Sequence, residues 1–129
     1  MSTIFTKIIN QEIPCYKIAE TEKFIAFLDI NPLVKGHTLV VPKVEVDYIF
    51  DLENQLLSEL FLFSKSVAKK IKKAIPCDRV GVSVVGLEVP HAHVHLIPIN
   101  QINDMNFSRP KLKLSNNEML ALKNLILKG

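Results

Sequence analysis

Three of the four histidines in this chain fall at alternate positions of one short run, Pro90-His91-Ala92-His93-Val94-His95-Leu96-Ile97-Pro98. Alternation is the period of a β-strand: side chains two residues apart leave the same face, so the imidazoles stand in one row. The interleaved Ala92, Val94 and Leu96 are apolar, which predicts a strand whose other face covers a core. A chain with this run is thereby committed to a sheet with one greasy face and one imidazole face.

Imidazole gains and loses its proton near neutral pH, so such a row can supply a nucleophile, a proton donor and a positive field at one spot. Three readings compete. Histidine can simply be tolerated on a half-exposed strand, although scattered surface histidines would not collect within five residues. Alternating histidines can also converge on Zn²⁺, but Glu88 is the only Cys, Asp or Glu close by, and His37 would have to arrive from far away as the fourth ligand. The third reading is acid–base and nucleophilic work on a phosphate or acyl group. Local composition alone does not separate it from the second.

The length of 129 residues, with 48% hydrophobic and 22% charged, predicts one globular domain over 1–129 with a substantial core. A net charge of +3 suits an anionic ligand but is too mild to argue for nucleic acid, and a lysine-rich surface explains it equally well. The opening Met1-Ser2-Thr3-Ile4-Phe5 lacks the basic region and sustained apolar run of a signal peptide, and no segment reads as a membrane span. The expectation is a cytoplasmic protein. Cys15 and Cys77 are too few and too far apart in sequence for a disulfide framework or zinc knuckle, and are read as reduced.

In chain order, apolar residues at 4, 5, 8 and 9 predict a short amphipathic helix, with Ser2 or Thr3 as N-cap and Ile13-Pro14 as its stop. Residues 16–20 and 24–29 read as strands joined by a hairpin turn, with Asp29 where the second runs out; there it can cap the turn or hold a pair of sugar hydroxyls. Gly36 and His37 open a β-branched strand that ends at Pro42. Leu56, Leu60, Phe63, Val67 and Ile71 recur at helical spacing within a long helix from about 52 to 74, whose last turns carry Lys69, Lys70, Lys72 and Lys73. Residues 79–85 read as a strand tightly connected and antiparallel to the histidine run. Residues 100–110 have no assignable pattern. Ser115 and Glu118 then form a capping box for a terminal helix with a Met119, Leu122, Ile126 stripe, able to dock on its own sheet or on a second subunit.

His91-Ala92-His93-Val94-His95-Leu96-Ile97 resembles the H-φ-H-φ-H-φ-φ motif of the histidine triad (HIT) superfamily, where φ is apolar. The resemblance extends, in the family's order, to Lys7-Ile8-Ile9-Asn10-Gln11-Glu12-Ile13-Pro14, to Phe27-Leu28-Asp29-Ile30-Asn31-Pro32 and to His37-Thr38-Leu39-Val40-Val41-Pro42. It covers about residues 3–100 and leaves the irregular segment and helix of 101–129 outside.

The resemblance implies an α+β fold with a five-stranded antiparallel sheet, paired into a homodimer through a continuous sheet. It implies cleavage at the α-phosphate of nucleoside phosphoramidates or dinucleoside polyphosphates, with a purine nucleotide or nucleotidyl compound as substrate and no cofactor. By position, His93 resembles the nucleophile that forms a nucleotidyl-histidine and His95 the contact to α-phosphate oxygens. His91 and His37 resemble the support of the row, Asp29 the ribose-binding acid, and Ile8, Phe27, Ile30 and Leu39 the walls of the base pocket.

The chain also departs from the family pattern. Ser83 stands near a position that is Asn in many relatives, Gly86-Leu87 replaces a Gly-Gln pair in a shorter loop, and Glu88 stands where the eukaryotic branch has Ser. An anionic side chain there repels phosphate unless it points away or is protonated. Thr3 and Thr6 replace the Cys-x-x-Cys pair of zinc-binding bacterial relatives, so no such metal site is expected. The leading expectation is a nucleotidyl hydrolase or transferase using His93; the alternatives are a nucleotide-binding regulator with little turnover and a metal-binding protein using the row directly.

Overall fold

The computed structural model describes residues 3–128. Five strands form one antiparallel sheet: β1 (Lys17–Glu20), β2 (Phe24–Leu28), β3 (Thr38–Pro42), β4 (Arg79–Ser83) and β5 (Val94–Ile99), in the order β1-β2-β3-β5-β4. The helices are α1 (Ile4–Ile9), α2 (Asn54–Ala74) and α3 (Asn116–Lys128). None of the helices is long and apolar enough to cross a membrane. The α+β class and the five-stranded sheet are as expected.

The sheet divides its side chains by parity. Ala26, Leu28, Val40, Val94 and Leu96 join one core with Leu60, Val67 and Ile71 of α2, while Ile25, Phe27, Leu39 and Val41 join Phe5 of α1 on the other face. Each fully buried aliphatic of the α2 stripe contributes about 1.5–3 kcal/mol through burial. The stripe of α3 docks within its own chain: Met119 and Ile126 are buried in the α2 core, with Leu122 packed against it. Its capping box is in place, since Ser115 Oγ accepts from Glu118 N–H and Glu118 Oε1 accepts from Ser115 N–H.

Several boundaries differ from the sequence-based expectation. α1 is capped by Thr3, whose hydroxyl accepts from Thr6 N–H, while Ser2 lies outside the described residues. The helix ends at Ile9, before Ile13-Pro14, because Gln11 takes a left-handed conformation with φ 64°. The connection from β4 to β5 is not tight but runs through residues 84–93. The segment after β5 contains a 3-10 turn, Ile102–Met105, closed by reciprocal bonds between Gln101 and Asp104.

The most consequential difference lies in the histidine run, where β5 begins only at Val94. Val40 pairs with Val94, so the next ladder bonds would come from Pro42, which has no N–H to give. The Pro42 carbonyl instead accepts from His91 Nε2–H at 2.8 Å, and Ala92 N–H bonds to Val46 O at 2.7 Å. His91 and His93 therefore precede the strand, although their rings remain on the face opposite Ala92 and Val94.

Candidate active site

The imidazole face of the sheet floors a cavity of about 430 Å³, a size suited to a small-molecule ligand. Strand register builds this floor: Phe27 pairs with Leu39 and Leu39 with His95, so these side chains form one row across β2, β3 and β5. Ile4, Phe5 and Ile8 of α1 form a wall, Ile30 and Asn31 stand beyond β2, and residues 85–89 approach from the loop before the triad. Gly86 in that loop has φ 74°, a left-handed turn with open space around it.

Hydrogen bonds fix the proton on each ring. Leu33 N–H points at His37 Nδ1 (3.0 Å), so that nitrogen must accept and the proton of the neutral ring sits on Nε2. His37 Nε2–H then donates to His95 Nδ1 (2.9 Å), which leaves His95 with its proton on Nε2. His93 is oriented the other way: its Nδ1–H donates to the His91 carbonyl (2.7 Å), so Nε2 keeps its lone pair. Among the described residues no buried side-chain nitrogen or oxygen lacks a partner, so the unbonded Nε2 atoms of His93 and His95 reach the cavity's solvent. One nitrogen presents a lone pair and its neighbour an N–H, with ring centroids 4.9 Å apart.

His91 has a different place from its neighbours. It is fully buried and does not line the cavity; Thr3 Oγ1 bonds its Nδ1 at 3.0 Å, and Phe5 sets an edge against both its ring and that of His93. Thr6 Oγ1 donates to Glu45, which also accepts from Thr3 N–H, so the Thr6 hydroxyl and the Thr3 amide tie α1 to the loop after β3.

The expected positive field of the row is not there. Burial holds His37 down to about 3 and His95 down to about 4, and it also lowers His93, so these rings are neutral at pH 7. They supply shaped donors and a lone pair, not charge. Burial raises Asp29, whose Oδ1 caps Asn31 N–H (2.8 Å) while Oδ2 lies 3.7 Å from His37 Nε2. With His37 neutral this is no ion pair, and Oδ2 is available to a hydroxyl.

Asp29, His37 and His95 bring three ligand-type atoms within 4.8 Å. A cation is poorly served there, because Nδ1 of His37 is taken by Leu33 N–H and Nε2 by His95, and a metal would have to break that link.

Of the positions singled out in the sequence, His37, His93, His95, Asp29, Ile8, Phe27, Ile30, Leu39 and Glu88 all line the cavity. Ser83 does not, although it pairs with His95 in the register. Among the lining residues that were not anticipated are Phe5 of α1, Cys15, and Phe107 and Lys111, the last two from in and just after the segment that showed no pattern. Phe107 sets its edge against His95 with centroids 4.9 Å apart, and an aromatic four residues before a lysine in a polar stretch was the available signal.

A family model for the HIT domain matches residues 10–102. The chain belongs to the HIT family. An uncharacterized HIT-like protein of Borreliella burgdorferi is 34% identical over 113 residues, covering 82% of this chain and 81% of that one. An adenosine 5′-monophosphoramidase of Schizosaccharomyces pombe is 35% identical over 128 residues, covering 95% and 93%. Among solved structures, a HIT-like protein from Bartonella henselae superposes with TM-score 0.86 at 28% identity, covering 98% of this chain and 95% of that one. The HIT fold thus extends through the C-terminal segment and α3, beyond the residues the family model matches.

Proposed function

We propose that this HIT protein is a hydrolase or transferase that cleaves nucleotidyl compounds at the α-phosphorus through a covalent intermediate on His93. The observation that carries this is the pairing of tautomers: an Nε2 lone pair on His93 beside an Nε2–H on His95, both open to one cavity. The phosphoramidase activity named for the fission-yeast relative supports a phosphorus–nitrogen bond as the one broken.

In this reading Ile8, Phe27, Ile30 and Leu39 receive a purine base and Asp29 Oδ2 accepts from a ribose hydroxyl. His93 Nε2 attacks phosphorus, and the bond to the leaving amine breaks as that amine takes a proton from water in the cavity; the later attack of water on phosphorus returns a proton to solvent. As His93 becomes bonded at Nε2 its ring turns cationic, and the His91 carbonyl stabilises the Nδ1–H that now carries more positive charge. His95 Nε2–H meets a non-bridging oxygen, and it is an obligate donor because Leu33 has fixed the tautomer of His37. Water then cleaves the P–N bond to His93, restoring the free ring and releasing the nucleoside monophosphate. Phosphoryl-type transfer of this kind depends chiefly on positioning and electrostatics. Hydrolysis needs no cofactor in this scheme, and a cytoplasmic location is proposed with it.

The edge of β4 is unpaired within the chain and carries exposed Val82, followed by exposed Val84 and Val85. It is the edge on which a homodimer with a continuous sheet would form. One observation favours slow turnover and a nucleotide-binding role instead: Glu88 lines the cavity on the His93 side, where its charge opposes an incoming phosphate.

The test is release of AMP from an adenosine phosphoramidate by the parent protein and by His93→Ala. Turnover by the parent with loss of at least roughly a thousandfold in the variant is expected. Equal rates, or nucleotide binding by the parent with no turnover, would overturn the assignment.

A further inference from the structure

We propose that Lys111 is the cation that holds the anionic phosphate of the nucleotide, a role that rests on the reading above and specifies which charge in the cavity selects for phosphate. Phosphate transfer needs positive charge beside the non-bridging oxygens, and the imidazole row does not carry it, because burial keeps the lining histidines neutral. The cavity lining also brings two carboxylates, Asp29 and Glu88. Among the described residues Lys111 is the only Lys or Arg that lines it. Without that ammonium, an incoming phosphate would meet two negative groups and no cation.

The position of Lys111 suits the task. Its Nζ donates to Phe107 O at 2.7 Å and lies 5.9 Å from the centre of the Phe107 ring, whose edge rests on His95. The ammonium is thus on the side of the donor His95, and two of its three N–H bonds remain to give. Its charge is felt at Asp29, His37 and His95, while that of Glu88 is felt at Asp29 and His93. Of the two rings, the ammonium thus acts on His95 and the carboxylate on His93, while both act on Asp29.

Its backbone is anchored as well. Leu112 N–H bonds to Pro32 O at 2.8 Å, tying the segment to the turn that presents Asp29 and His37. Arg109 braces the preceding turn through Asn103 O and Asp104. An exposed lysine on an anchored backbone can reach the ligand while losing little further freedom on binding.

The experiment compares AMP with adenosine, which differ only in the phosphate, by titration calorimetry on the parent, Lys111→Gln and Lys111→Arg at low and high salt. In Lys111→Gln the AMP dissociation constant should rise roughly tenfold while that for adenosine stays within about twofold; Lys111→Arg should bind AMP nearly as the parent does. Added salt should weaken AMP binding by the parent more than by Lys111→Gln. Unchanged AMP binding by Lys111→Gln, or equal losses for AMP and adenosine, would overturn the role of Lys111 and leave the His93 chemistry standing. A parent that binds neither compound would instead overturn the nucleotide site itself, and this role with it.

Discussion

Replacing His37 by Asn tests the electrostatic heart of the site without touching His93, the proposed nucleophile. His37 is 2% exposed, and burial, assisted by the neighbouring imidazoles and Lys111, holds it at about 3 instead of the usual 6.5. Between those values the unfolded chain binds a proton that the folded chain refuses. Stability from this group is therefore complete above pH 6.5 and drains away as the pH falls toward 3. From pH 7 to pH 4.5 the linkage amounts to about 2.5 kcal/mol. Asparagine keeps an oxygen for Leu33 N–H and gives up the donor to His95, a cost that enters at both pH values, but it does not titrate. Urea unfolding followed by circular dichroism suits a chain with no Trp and two Tyr. The parent should lose about 2.5 kcal/mol more than His37→Asn between the two pH values. Equal losses in the two proteins would refute the claim that His37 is locked in its neutral form.

Other consequences can be checked in parallel. Thr3→Val removes both the cap of α1 and the hydroxyl on His91 Nδ1, and should cost about 1–2 kcal/mol in urea unfolding, more than Thr6→Val at the exposed end of the same network. The lowered proton affinity of His93 means that its nucleophilic form persists in mild acid, so the acid limb of kcat/KM for a phosphoramidate should have its midpoint below 6.5. A midpoint at or above 6.5 would show that the nucleophile is not desolvated as the structure has it.

Much of the sheet was legible because period-two patterning and proline punctuation are local signals. Phe24–Leu28 and Thr38–Pro42 emerged within a residue or two of their limits, and the α2 stripe fell on Leu60, Val67 and Ile71. The start of β5 was not legible, since it depends on what Pro42 offers across the ladder, a partner far away in sequence. Nine of the residues that line the cavity were named from the sequence, among them His93, His95, Asp29 and Leu39. Ser83 fell outside it, because its place opposite His95 is set by the register of β4, at the far side of the row. Phe107 and Lys111 went unseen for the same reason: a segment without periodicity declares its position only through tertiary bonds such as that from Leu112 to Pro32. Charge was the other gap. Counting imidazoles suggests a cationic site, whereas burial removes the charge and leaves direction.

The polarity of the His37–His95 pair originates in the main chain at Leu33. A backbone amide is present whatever side chain that residue bears, so an apolar exchange that fills the space of the buried Leu33 would keep the direction in which the pair donates, and proline would abolish it. Position 33 is therefore constrained by packing and not by the chemistry, while His37, which relays that instruction, is constrained by both. The grammar of the site is written in part where no side-chain comparison can read it.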